Sequence, residues 1–157
     1  MSRKPQISKL MTGLAGEYLV AARMNLRGWV ASLTLKNFPG VDIFGMNPNP
    51  KTGQDPNIGI QVKSCWDSSF FVGVNRSQRD QMEKRIQGPF VFVHMESLDD
   101  ATFYILSKSE FIALVNSTDD LYYNKPRTKP IKPDYPIAVS LKDLIPYKDQ
   151  WDSLWKP

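Results

Sequence analysis

One ordering of patterns constrains this chain more than anything else: a helical stretch is followed at once by three short strand-like runs. From Ser8 to Arg27, Leu10, Leu14, Tyr18, Ala21 and Ala22 recur at helical spacing, and Gly28 supplies a stop. "WVASLTL" and "VDIFGM" then read as strands divided by the turn-like "KNFPG", and a proline-rich loop from Asn47 to Asn57 leads into a third strand, "IGIQVKS". "NRSQRDQMEKRIQ", Asn75 to Gln87, has the polarity of an exposed helix. "PFVFVHM" and "ATFYILS" are two further strands, and "KSEFIALVN" is a short helix capped by Ser107 or Ser109. Each apolar face needs a covering layer, so this order predicts an α/β fold with helices flanking a central mixed β-sheet. At 157 residues the expected organisation is a single domain, 1–157. It carries a Pro/Lys-rich loop near 124–136 and a C-terminal helix on which Trp151, Leu154 and Trp155 share one face.

Composition narrows the chemistry. A net charge of +4 and a pI near 9.2 favour an anionic partner such as nucleic acid. The apolar runs are too short to span a membrane, and the basic start "MSRKPQISKLMTG" lacks the apolar core and cleavage site of a signal peptide, so a cytoplasmic location is expected. With one cysteine, Cys65, and one histidine, His94, neither an intrachain disulfide nor a Cys/His zinc cage is possible. His94 lies in the apolar "FVFVHM" with no nucleophile signature beside it, which reads as a packed residue rather than a catalytic base. Any working metal must therefore be held by oxygen, which favours Mg²⁺, with Mn²⁺ as a substitute.

Four polar residues interrupt the apolar pattern. Glu17 follows Leu14 by three positions and precedes Ala21 by four, on or beside the covered face of the first helix, where an acid needs a cation or donors to satisfy it. Strand alternation puts Asp42, Phe44 and Met46 on one face of the second strand, and Gly59, Gln61 and Lys63 on one face of the third. If these strands are neighbours, a suitable register joins Asp42, Gln61 and Lys63, and a helix packed on that face adds Glu17. Carboxylates with an amide oxygen hold a hard divalent cation, and an ammonium beside them offsets charge developing on a phosphate.

In "GLAGEYLVAARMNLRGW", "GVDIFG" and "IQVKS" the chain resembles the PD-(D/E)XK nuclease superfamily, with its restriction endonuclease-like fold, and in particular its compact resolvase-like members. The resemblance covers roughly the first half of the chain and rests on the order and spacing of the motifs. It implies a Mg²⁺-dependent endonuclease that hydrolyses phosphodiester bonds in duplex or branched DNA, with a homodimer cutting two strands. Glu17 and Asp42 become metal ligands, Gln61 and the backbone carbonyl of Val62 supply further oxygens, and Lys63 positions the water or stabilises the transition state. Val41 stands where the pattern has proline, and Gln61 where it has Asp or Glu. The missing charge raises a different function, a catalytically inactive nuclease-like module that binds nucleic acid or a protein.

Further cations are candidates for phosphate contact. Arg76, Arg79, Lys84 and Arg85 lie on the polar stretch after Asn75, and Lys125, Arg127 and Lys129 in the Pro/Lys-rich loop. Arg3, Lys4 and Lys9 lie near the start.

Overall fold

The computed structural model describes residues 6–35 and 38–156. Arg3 and Lys4, like Lys36 and Asn37 of the predicted turn, lie outside the described residues. The chain opens with helix α1 (Lys9–Asn25), whose first turn is capped by Ser8, the hydroxyl accepting from Met11 N at 3.2 Å. Gly28, with φ 86°, turns the chain away after its last turn.

Three strands follow: β1 (Val30–Leu33), β2 (Ile43–Met46) and β3 (Asn57–Cys65). With β5 (Phe90–Met95) and β6 (Ala101–Leu106) they form a five-stranded sheet in the order β1-β2-β3-β5-β6. All its neighbours are antiparallel except β3 and β5, which are parallel. This is the mixed α/β sheet flanked by helices that the sequence predicts. A second, two-stranded sheet is made by β4 (Ser69–Asn75) and β7 (Pro136–Ser140).

Both faces of the large sheet are buried. On one, Ile43, Ile60, Val62, Val91 and Val93 meet Val20, Ala21 and Met24 of α1. On the other, Phe90 and Phe92 meet Phe70 and Val72 of β4 and Phe111 and Val115 of helix α3 (Lys108–Asn124). Burying a side chain of this size is worth about 1.5–3 kcal/mol, so these two layers hold the fold together.

The structure corrects several expectations. In α1 the buried residues are Thr12, Gly16, Val20, Ala21 and Met24, whereas Leu10 and Tyr18 are 63% and 61% exposed. The covered face shares Ala21 with the predicted stripe and is otherwise turned away from it, and the helix lies very close to β3: a Cβ on Gly16 would overlap Ser64 Oγ. The stretch 75–87 is not one exposed helix. Asn75 ends β4, Arg76–Gln81 is a 3₁₀ turn and Met82–Arg85 a single helical turn, α2, with Met82 buried in the core.

Helix α3 runs on to Asn124, well past "KSEFIALVN". A capping box of Ser107 and Glu110 starts it. The extension was illegible because one of its buried positions carries an acid, Asp119, in place of an apolar residue. The Pro/Lys-rich segment is correspondingly shorter, since β7 begins at Pro136 and the helical turn α4 (Leu141–Leu144) follows it. The Trp151–Trp155 segment is 3₁₀ and docks on the body of the fold: Leu154 is buried and Trp155 stacks on Trp29 at 4.2 Å between ring centroids.

Candidate active site

Strands β2 and β3 are neighbours, as the proposed constellation requires. Ile43 faces Ile60, and continuing that register past the start of β2 places Asp42 beside Gln61. Here the ladder becomes irregular. Asp42 N donates to Ile60 O at 2.8 Å, while Asp42 O turns back to accept from Thr34 N at 2.9 Å. The next donor of β3, Val62 N, is left without a backbone acceptor from β2. The Asp42 carboxylate takes it, Oδ2 accepting at 2.7 Å. Half of the carboxylate thus stands in for missing backbone, and the other oxygen is not used in this way.

Thr34 completes the arrangement and was missed from the sequence, where nothing but its place at the end of a strand distinguishes it. Its hydroxyl donates to Val41 O at 2.6 Å, which secures the turn that presents Asp42. Glu17, on α1, lines the same open cleft as Asp42, together with Thr34, Gly13 and Phe38; the cleft holds about 330 Å³. Two acids from distant parts of the chain therefore share one opening.

Gln61 and Lys63 lie elsewhere. They pair with Phe90 and Phe92 of β5, whose side chains pack in the β4 and α3 layer, on the sheet face opposite α1. The expectation that one helix would add Glu17 to the face carrying Gln61 and Lys63 is corrected: α1 packs against Ile60 and Val62, the alternate residues. Gln61 lines a separate cleft of about 350 Å³ with Gly73, Lys84 and Arg85. Lys63 Nζ would lie 3.4 Å from a Cβ at Gly73, and the side chain borders a third cleft with Thr12 and Trp66. Lys9 lines both this third cleft and that of Glu17 and Asp42, so the two adjoin.

The donor set fits a hard cation. Among the described residues no three His, Cys, Asp or Glu side chains form a metal-binding group. Mg²⁺ keeps several waters and is commonly held by one or two carboxylates plus substrate phosphates. Glu17 and Asp42 meet that requirement. His94 sits within β5 opposite Thr102 and lines none of these three clefts.

The cations after Asn75 divide into two kinds. Arg76 and Arg79 are committed to α3: both contact Asp119 Oδ2, Arg79 at 2.5 Å, and Arg79 also reaches Asp120 at 2.7 Å and Asn116 Oδ1 at 3.0 Å. Asp119 is 1% exposed and accepts from Tyr135 Oη at 2.6 Å as well. The bond to Asp120 leads the effects that hold Arg79 above its usual range. Burial, then the bond to Asp119, pushes the Tyr135 hydroxyl up. Phosphate contact by these two arginines thus competes with a buried carboxylate, whereas Lys84 and Arg85 are exposed beside Gln61. In the later loop, Lys125, Arg127 and Lys129 are exposed, although Arg127 donates to Tyr122 O and covers its ring.

No family model matches this chain, and no curated protein matches it in sequence. It is similar in structure to Hjc, a Holliday junction resolvase from the archaeal hyperthermophile Archaeoglobus fulgidus. The TM-score is 0.45 at 11% identity, over 87% of this chain and 88% of that one. A similarity this loose assigns no role to individual residues here. No helix among the described residues is long and apolar enough to cross a membrane.

Proposed function

We propose that the chain is a metal-dependent DNA endonuclease of the restriction-like type, hydrolysing phosphodiester bonds in the cytoplasm. The observation that carries this reading is the Asp42 carboxylate, pinned through Oδ2 to Val62 N at 2.7 Å and lining one cleft with Glu17. Pinning removes the rotational freedom of a short side chain and aims its second oxygen at a fixed place. Glu17 and Asp42 would hold Mg²⁺, or Mn²⁺ in its place, with the Val62 carbonyl as a further oxygen, while Gln61, which lines a different cleft, is left out of the ligand set. When bound, such an ion polarises the phosphate and acidifies a bound water.

The remaining steps fall to the chain itself. Lys63 carries a compact positive charge one residue beyond Val62 and offsets the negative charge that builds on the phosphate. Lys84 and Arg85, exposed beside Gln61, hold the DNA backbone next to that point. Duplex and branched DNA are both candidate substrates, and a homodimer would cut two strands.

Incubation of the protein with supercoiled, linear and branched DNA, with and without Mg²⁺, tests the reading. Cleavage should require the metal and disappear in Asp42→Asn and Lys63→Ala. Activity that persists in both variants sinks it. A second reading has its own observation: Gln61 replaces an acid and lines a different cleft from Glu17 and Asp42. A catalytically inactive module that binds nucleic acid or protein would show no cleavage, and calorimetry with Mg²⁺ or Mn²⁺ would give the same trace for the wild type and Asp42→Asn.

A further inference from the structure

At the opposite edge of the sheet from Asp42, where β6 is the last strand, the C-terminal end of α1 meets the segment that leads into the tryptophan turn. A small polar cleft of about 270 Å³ opens there, lined by Arg23, Arg27, Thr102, Phe103, Lys148, Asp149 and Trp151 in its polar and aromatic walls. Three cations face one carboxylate. Among the described residues, none of the three cations is in an ion pair.

Two of the three cations lie over aromatic faces. The Arg27 guanidinium lies 4.2 Å from the centroid of the Trp151 ring, and that of Arg23 lies 5.3 Å from the Phe103 ring. Arg27 also donates through Nη1 to Arg23 O at 3.1 Å, tying the pair together. A guanidinium stacked by its face keeps its N–H edge available, and fixing it beforehand lowers the entropy cost of binding.

The third cation is fixed through the backbone. Lys148 bridges to Tyr104 of β6, and Asp149 N donates to Phe103 O at 3.0 Å. Asp149 then takes a left-handed conformation, φ 52°, and its carbonyl accepts from Trp151 N at 2.9 Å. This turn sets Lys148 and Trp151 against the arginines on α1.

Pockets for drug-sized ligands generally measure roughly 300–1,000 Å³, and this cleft lies just below that range. We propose that Arg23, Arg27 and Lys148 form a binding site for a phosphate group, separate from the cleft of Glu17 and Asp42. Its surplus of positive charge matches a phosphate, and two guanidinium edges offer the paired donors that phosphate oxygens accept. The phosphate belongs either to a nucleic-acid strand or to a small free molecule, and both use the same contacts.

The full-length protein carries a built-in probe, since an anion on Arg27 alters the surroundings of Trp151. Sodium phosphate, titrated against sodium chloride at matched ionic strength, should give a saturable fluorescence change that Trp151→Phe removes. Calorimetry should show binding weakened about tenfold or more in Arg23→Ala/Arg27→Ala, the loss of at least one charge-assisted contact. Lys148→Ala should weaken it several-fold. This variant leaves α1 intact, so it decides the matter if the double variant does not fold. A phosphate response no larger than chloride's, or unchanged phosphate affinity in Lys148→Ala and the folded double variant, overturns the proposal.

A short DNA duplex distinguishes the sources. If the phosphate is part of a strand, the double variant should bind DNA more weakly, with a smaller dependence of log K on log salt. If DNA affinity stays the same while inorganic phosphate and a nucleoside monophosphate lose theirs, the ligand is a small free phosphate. Asp42→Asn should leave all these affinities for small phosphates unchanged, so failure of the nuclease reading and failure of this one are separable.

Discussion

Asp42 and Asp119 are both carboxylates drawn out of bulk water, and their surroundings differ in kind. Asp119 is fully buried and spends both oxygens inside the protein, on Arg76, Arg79 and Tyr135. Asp42 is half-buried, gives one oxygen to a backbone N–H, forms no ion pair among the described residues, and lines an open cleft. A charge neutralised by neighbours in the same chain fastens elements together. A charge left unneutralised in an opening is available to a cation from outside. By that distinction Asp119 ties the 3₁₀ turn after β4 to α3, and Asp42 is the acid we propose as a metal ligand.

The contrast is most exposed to test at Asp42. Asp42→Asn keeps an oxygen for Val62 N–H and loses the charge. Metal-dependent cleavage should fall roughly a thousandfold, in keeping with the several kcal/mol of a lost metal ligand, while the urea midpoint stays near that of the wild type. A variant that loses stability and keeps activity would make Asp42 a structural acid like Asp119.

Asp119→Ala should do the reverse. It strips a buried acceptor from two arginines and a tyrosine and should cost about 3 kcal/mol in urea unfolding. The arginines are partly exposed and recover some hydration, which keeps the loss at the low end. Near wild-type stability would place the network among surface contacts of little consequence.

Gly16→Ala tests how closely α1 must approach the sheet. Its Cβ would overlap Ser64 Oγ, so α1 must lift, with a loss of about 2 kcal/mol. Lifting also moves Glu17 away from Asp42, and cleavage should drop further than stability alone explains. If the two losses match, the spacing of the acids does not depend on this contact.

The smallest effect concerns a third carboxylate, Glu110 at the start of α3. Partial burial pushes it up, but Ser107 N–H and Lys156, with Ser153, outweigh this and hold it below its usual range. Because the folded value is depressed, its contribution is present above the ordinary glutamate range and is lost as the pH falls through the folded value. Unfolding midpoints measured on descending through that window should decline, and Glu110→Gln should flatten that part of the curve.

Much of this was legible residue by residue. The order of α1, β1, β2 and β3 follows from local periodicity, and so do β5 and β6, which are long apolar runs. β4 escaped although Phe70, Val72 and Val74 alternate in the core, because the exposed Phe71 between them blurs the pattern. β7 lay hidden behind a proline-rich stretch. The tail of α3 escaped because the residue at its buried face is Asp119, whose charge becomes tolerable only when arginines 43 and 40 residues earlier in the chain arrive beside it.

The sequence by itself determined the strand alternation that separates Gln61 and Lys63 from Ile60 and Val62, the scarcity of soft metal ligands, and the acids at positions 17 and 42. Period and composition are properties of neighbouring residues and need no partner. Only the tertiary structure decided that α1 covers the Ile60 and Val62 face, that Arg76 and Arg79 are already engaged, and that the Asp42 carboxylate completes the β3 ladder. Each of these depends on which donors and acceptors from remote segments reach the same place, and that is fixed by packing.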